Sequence, residues 1–185
     1  MRNCLYQNGD GSIAISSLMF VLLGIVMLGF VIESGRLVQA ASHAENSTNL
    51  AGLAGVTRYT DTFLKKLEET YDSKKPEAEM EIRDEADAAG EILTPEEFKE
   101  RVIERTKEKV ATELAVIRSA ARRSCISGAT EILEENKLIV ESVTCSDTDV
   151  VVEGYVRYSP FIAAPGFKPG KISRRDSVGI AISTP

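Results

Sequence analysis

The sequence predicts an α+β fold built on one very long N-terminal helix, and three observations predict it. An apolar run without charge, Gly11 to Ile32, passes with no proline into a stretch of helical periodicity. A capping signature at Thr94-Pro95-Glu96-Glu97 opens a second helical pattern. After Asn136 the apolar period falls to two, which is the pattern of strands. The 185 residues suit one domain plus an anchor and are too few for a multi-pass transporter.

Residues 1–11 read as a short leader and residues 12–32 as a transmembrane helix. The 22 uncharged residues from Gly11 cover about 33 Å, against a hydrocarbon core of about 30 Å. Asp10 and Glu33 bracket them. The competing reading is a signal peptide cut after Val38-Gln39-Ala40. Against it, the apolar run exceeds the usual length of about 7–15 residues. Its basic n-region is only Arg2 and the amino terminus, and Glu33 and Arg36 precede the cut.

Flanking charge leaves orientation nearly tied, with Arg2 on one side and Arg36 on the other. The three cysteines break the tie. Cys125 and Cys145 lie in the large downstream part, where export lets them pair, while Cys4 stays reduced with a cytoplasmic leader. The expectation is a single-pass protein of the cell membrane with its C-terminal domain extracytoplasmic. A Cys125–Cys145 bridge closes a loop of about 20 residues, worth roughly 3 kcal/mol in the chain-entropy view. Two unpaired thiols are the alternative.

The helix is expected to continue over residues 33–71, with small or apolar residues at Leu37, Ala40, Ala44, Thr48, Ala51 and Ala54. Such a stripe admits close approach of another helix or packs on its own domain. Gly35, Gly52 and Gly55 are candidate bends. Asn46-Ser47-Thr48 matches a glycosylation sequon by coincidence, given its helical setting. Asp72-Ser73-Lys74-Lys75-Pro76 reads as a break, and residues 72–93 as an acidic linker or solvated helix. Glu77 to Asp87 holds six acids against Arg83 alone, without the glycine-turned spacing of a calcium loop.

Residues 94–185 read as the exported α+β domain. Its helix carries Phe98, Val102, Thr106, Val110, Leu114, Ile117 and Ala121 on one stripe. Arg118, Arg122 and Arg123 are expected near its end, complementing the carbonyl dipoles, before an interruption at Gly128. Leu138–Cys145 and Val150–Tyr158 form a hairpin through Ser146-Asp147-Thr148-Asp149. Val150, Val152, Val156 and Tyr158 share one face. After a turn-rich loop with Pro160, Pro165, Gly166, Pro169 and Gly170, Ile172–Ser183 supplies a third strand with Val178, Ile180 and Ile182 aligned. Three strands need a cover, which the helices can supply.

Composition argues against several functions. A formal charge of -6 disfavours nucleic acid. One histidine and no tryptophan leave little material for a metal site or a general base. That residue, His43, reads as a surface histidine on the long helix. Ser124, Ser127 and Ser142 lack a partner signature, and no phosphate loop, cysteine metal motif or cofactor fingerprint occurs. The reading is a non-enzyme without cofactor or metal.

A polar leader, a glycine, an uncharged span, a small-faced helix and a small sheet together resemble a pilin. More narrowly, Gly11-Ser12-Ile13-Ala14-Ile15, Glu33-Ser34-Gly35-Arg36-Leu37 and the small-residue run from Ala40 to Gly55 resemble the TadE/TadG-like proteins of tight-adherence pili. The likeness covers Asp10 to about Gly55. The hairpin from Leu138 matches in style, and Thr60 to Glu113 is not characteristic. The resemblance implies a pilin-like fold and cleavage between Gly11 and Ser12 by a prepilin peptidase. It also marks Glu33, Gly35 and Arg36 as a motif after the span. Ser16 stands where pilins carry a glutamate, and an uncharged side chain does not neutralise a buried amine, so an uncut anchor is an equal outcome.

The expected function is a minor pilin-like or assembly component of an adhesive pilus, acting by membrane anchoring and packing. Its partners are the lipid bilayer, other pilus subunits and assembly proteins, not nucleic acid. The alternative is a single-pass envelope anchor with an extracytoplasmic ligand-binding or sensor domain. A secreted domain beginning near Ala41 is the weaker third reading.

Overall fold

A computed structural model describes residues 7–160 and 169–181, with side chains from Ile15 onward. Residues 1–6 of the expected leader, Cys4 among them, the loop residues Pro165 and Gly166, and Ile182 and Ser183 of the expected third strand lie outside these. The order is α1 (Gln7–Ala89), α2 (Pro95–Glu135), β1 (Ile139–Cys145), β2 (Asp149–Tyr158) and β3 (Gly170–Gly179). This is an α+β arrangement of two helices and a three-stranded antiparallel sheet ordered β1-β2-β3.

α1 is one helix of 83 residues, about 125 Å at the standard rise. The break expected at Asp72–Pro76 does not occur, and residues 72–89 are helix rather than linker. Proline removes one donor, from the carbonyl of Asp72, but both residues face solvent, where water replaces it. The turns beyond are held by burial: Ala78 and Ile82 pack with Val102 of α2, flanked by Leu93 and Phe98. Opposed charges add to this, with Lys109 Nζ 2.6 Å from Glu81 and Arg105 Nη1 3.1 Å from Glu85. The acids at Glu77, Glu81 and Glu85 thus share a face at four-residue spacing and meet cations of α2. The helix stops at Gly90, whose φ of 65° is the left-handed conformation that glycine adopts without a Cβ clash.

α2 starts at the expected capping box. Thr94 Oγ1 accepts from the Glu97 backbone N–H at 3.3 Å, the Thr94 N–H donates to Glu97 Oε2 at 3.0 Å, and Pro95 opens the helix. It returns antiparallel along α1, from Val102 beside Ile82 to Glu131, which pairs with Arg58 at 2.8 Å. Val102, Thr106, Val110, Ile117 and Ala121 of the expected stripe are buried. Gly128 does not interrupt α2. It faces the Arg58 side chain of α1, and a Cβ there would stand 2.6 Å from Arg58 Cγ.

The sheet covers the membrane-proximal half of this hairpin. β2 descends α1, pairing Val150 with Cys145 of β1 and with Val178 of β3, and ending with Tyr158 opposite Gly170. Val150, Val152 and Tyr158 are buried, as the period-two pattern predicts, with Gly154 on the same face and Val156 half-buried. β3 is shorter than expected, since Ile180 already lies outside the strand and is held by its N–H on Thr148 O at 2.7 Å. The main core joins Ala44, Ala51, Tyr59 and Phe63 of α1 to Ile117, Ala121, Cys125, Ala129 and Leu133 of α2 and to Val150 and Val152.

Candidate membrane anchor and its collar

The first described turns of α1 carry large apolar side chains and almost no cover. The large apolar side chains from Ile15 through Ile32 are exposed, and none of the most apolar 18-residue window is buried against the rest of the chain. This is one helix long and apolar enough to cross a membrane. Leaving Phe20, Leu23 and Val26 in water would forfeit roughly 1.5–3 kcal/mol each, and lipid removes that cost. The Gly11–Ser12 bond lies within α1.

Cover begins one residue past the span. Glu33 is 1% exposed, and the Tyr158 hydroxyl at the foot of β2 donates to its carboxylate. The half-exposed Arg36 guanidinium stands 3.5 Å from the other carboxylate oxygen. A buried carboxylate is costly unless hydrogen-bonded and charge-balanced, and here both partners are supplied. Burial, and then the negative charge it faces, push the Tyr158 phenol above its ordinary range. Of the three residues singled out after the span, Glu33 and Arg36 meet at this collar, and a Cβ on Gly35 would meet open space. Tyr158 has no motif of its own; its place as the last apolar-face residue of β2 was the available signal.

The small-residue stripe is used within the chain. Ala44, Thr48 and Ala51 are fully buried, and a Cβ on Gly52 would come 2.7 Å from Val178 Cγ2, so the helix face serves its own sheet. Thr48 Oγ1 donates to the Ala44 carbonyl at 3.1 Å, which places the sequon inside the helix. Leu50, Leu53 and Leu64 are more than half exposed on a different side of α1.

The arginine cluster does not sit at a helix end, because α2 runs on to Glu135. Arg122 Nη2 pairs with Asp147 Oδ2 at 2.8 Å and Arg118 reaches the same oxygen at 3.7 Å. Asp147 also accepts from the Tyr59 hydroxyl at 3.0 Å. The β1–β2 turn is thereby tied to both helices. Arg122 holds the Asp147 carboxyl below its usual range. His43 is exposed, and its Nε2 lies 3.0 Å from the Asn136 carbonyl oxygen, so it ties α1 to the end of α2.

Cys125 and Cys145 lie in the same core cluster as free thiols, 0% and 8% exposed, and the Cys145 thiol donates to the Ser146 carbonyl at 3.7 Å. Burial pushes both thiols up, Cys125 the further. Among the described residues, no group of three or more His, Cys, Asp or Glu is placed to hold a metal ion. One surface hollow along the helical hairpin is lined by Tyr71, Glu79, Phe98 and Val102. No family model, curated protein or solved structure matches the chain.

Proposed function

We propose that this chain is a minor pilin-like or assembly component of a tight-adherence type pilus, held in the membrane by one span with its C-terminal domain outside. The observation that carries the reading is the division of α1: bare from Ile15 to Ile32, then clothed on one side from Glu33 by the chain's own sheet and second helix. A continuous spine lets a force or contact on the outer domain act directly on the span. The Glu33–Tyr158 collar fixes the outer domain at the point where the helix leaves the bilayer. With Ala44, Thr48 and Ala51 already used, the face for a neighbouring pilus subunit's helix is the one bearing Leu50, Leu53 and Leu64, continuous with the exposed span.

The test is deletion of the gene in its native cell, with copurification of pilus subunits by the tagged chain. Loss of pili and recovery of other subunits support the reading; intact piliation overturns it. The amino-terminal residue of the mature protein refines it, since a start at Ser12 means prepilin-type processing and a start at Met1 or Arg2 a permanent anchor. One observation favours the alternative of an envelope sensor. The hairpin projects an acidic arm beyond the sheet, with Ile92 97% exposed at its tip, and a solvent-facing apolar tip suits capture of a ligand protein.

A further inference from the structure

The Cys125–Cys145 pair is brought together by two elements that close over it. Cys125 sits on α2 and Cys145 ends β1, opposite Val150. The packing at Cys125 is tight: a Cβ on Gly55 would stand 3.3 Å from Cys125 Sγ, 3.1 Å from Val150 and 3.4 Å from Ala129. Val150, the strand partner of Cys145, and Cys125 Sγ thus border the same point of one core cluster, with Cys125 without solvent and Cys145 nearly so, which leaves a reagent little access to either. We propose that Cys125 and Cys145 are oxidised to a disulfide during export, before β1 and β2 close on α2, by a disulfide-bearing thiol oxidant outside the membrane. The inference rests on the orientation given above, with the C-terminal domain extracytoplasmic.

The order of events follows from the chemistry of exchange. A thiolate must attack a donor disulfide in line, giving a mixed disulfide and releasing one donor thiolate. The second cysteine then attacks the chain sulfur of that mixed disulfide, the Cys125–Cys145 bond forms, and the second donor thiol leaves. Two electrons and two protons pass from the chain to the donor disulfide, which ends as a dithiol. In the folded chain neither step has room, and burial keeps both thiols protonated. The pair is reactive while the hairpin is open and inert once it has closed. The sulfurs' closeness in the native packing then makes the bond stable without displacing the core.

The experiment uses the full chain in membranes of its native cell. Alkylation in denaturant without reductant should label neither Cys125 nor Cys145, leaving Cys4 as the labelled cysteine where the leader is retained, and peptide mass should show Cys125 joined to Cys145 with loss of two hydrogens. Protease added outside should reach the C-terminal domain. Label on Cys125 and Cys145 in a protease-accessible domain overturns the bridge and leaves the anchoring reading intact; a domain protected from outside protease overturns the orientation and the bridge with it. Timing is tested on reduced chain in detergent micelles treated with oxidised glutathione. Chain unfolded in denaturant should oxidise fast, and folded chain only as fast as it opens, slower by orders of magnitude. Equal rates overturn the order of events. A Cys125→Ala, Cys145→Ala chain, labelled in the same denaturant, controls for labelling at Cys4.

Discussion

The Tyr158 hydroxyl donates to the Glu33 carboxylate, joining residues 125 positions apart at the edge of the span. The contact ties the end of β2 to α1, and Glu33 is essentially without solvent. Tyr158→Phe keeps the ring and removes the donor, so the buried carboxylate loses part of its compensation. The variant should lose about 1–3 kcal/mol, measured by denaturant unfolding in micelles. Unchanged stability would show that the collar carries no strain-bearing role.

Pro76 sits exposed inside α1, one donor short of a regular helix. Because packing on both sides already imposes helix there, alanine should restore the bond to the Asp72 carbonyl without disturbing a neighbour. Pro76→Ala should stabilise the hairpin by about 1–3 kcal/mol, the lower part of the intrinsic cost of a mid-helix proline. Hydrogen exchange at residues 72–80 would report it, and faster exchange would mean that the proline fixes a bend the fold needs.

Titration should destabilise the fold at both ends of the pH scale. The Tyr59 phenol is pushed up to about 12, first by burial and then by its bond to Asp147. A phenol that holds its proton more tightly when folded contributes stability fully present below pH 10, and loses it as pH climbs toward 12. Tyr158 acts in the same direction. Asp147, lowered chiefly by Arg122, contributes stability present above the ordinary carboxylate range and lost as pH falls through its folded value. Tyr59→Phe should flatten the alkaline limb of a stability profile and, by removing one donor to Asp147 while Arg122 stays, weaken the acid limb less; identical alkaline limbs would assign the effect elsewhere.

Helix α2, the span and the hairpin were legible because local signals agreed with tertiary ones: the Thr94 cap, an uncharged run of one membrane's thickness, and a change of period after Asn136. Pro76 and Gly128 misled because propensity speaks for an isolated helix, while here Ile82 against Val102 and Arg58 over Gly128 decide. The acidic run looked solvated because its partners lie on another element. The matching spacing of Glu77, Glu81 and Glu85 with Arg105 and Lys109 was readable only once the two helices were known to be antiparallel. The stripe of Ala44, Thr48 and Ala51 announced close approach correctly, but no periodicity tells an intramolecular sheet from a neighbouring helix. Glu33 was visible as a boundary charge, whereas Tyr158, its partner, needed the register of β2.

The two sides of α1 make opposite demands, and substitution can separate them. Ala51 is fully buried against the core, so Ala51→Asp forces an unpaired charge into it and should unfold the outer domain. Leu53, 55% exposed two positions on, and Leu64, 51% exposed, touch no such core. Leu53→Asp with Leu64→Asp should leave unfolding within about 0.5 kcal/mol of the parent for each change, as surface positions do. If α1 docks on a neighbouring subunit's helix by this face, the same pair of changes should abolish copurification of pilus subunits from cells in which the variant reaches the membrane at normal level. Full copurification would put the contact elsewhere and leave the acidic arm, with Ile92 at its tip, as the surface to alter next.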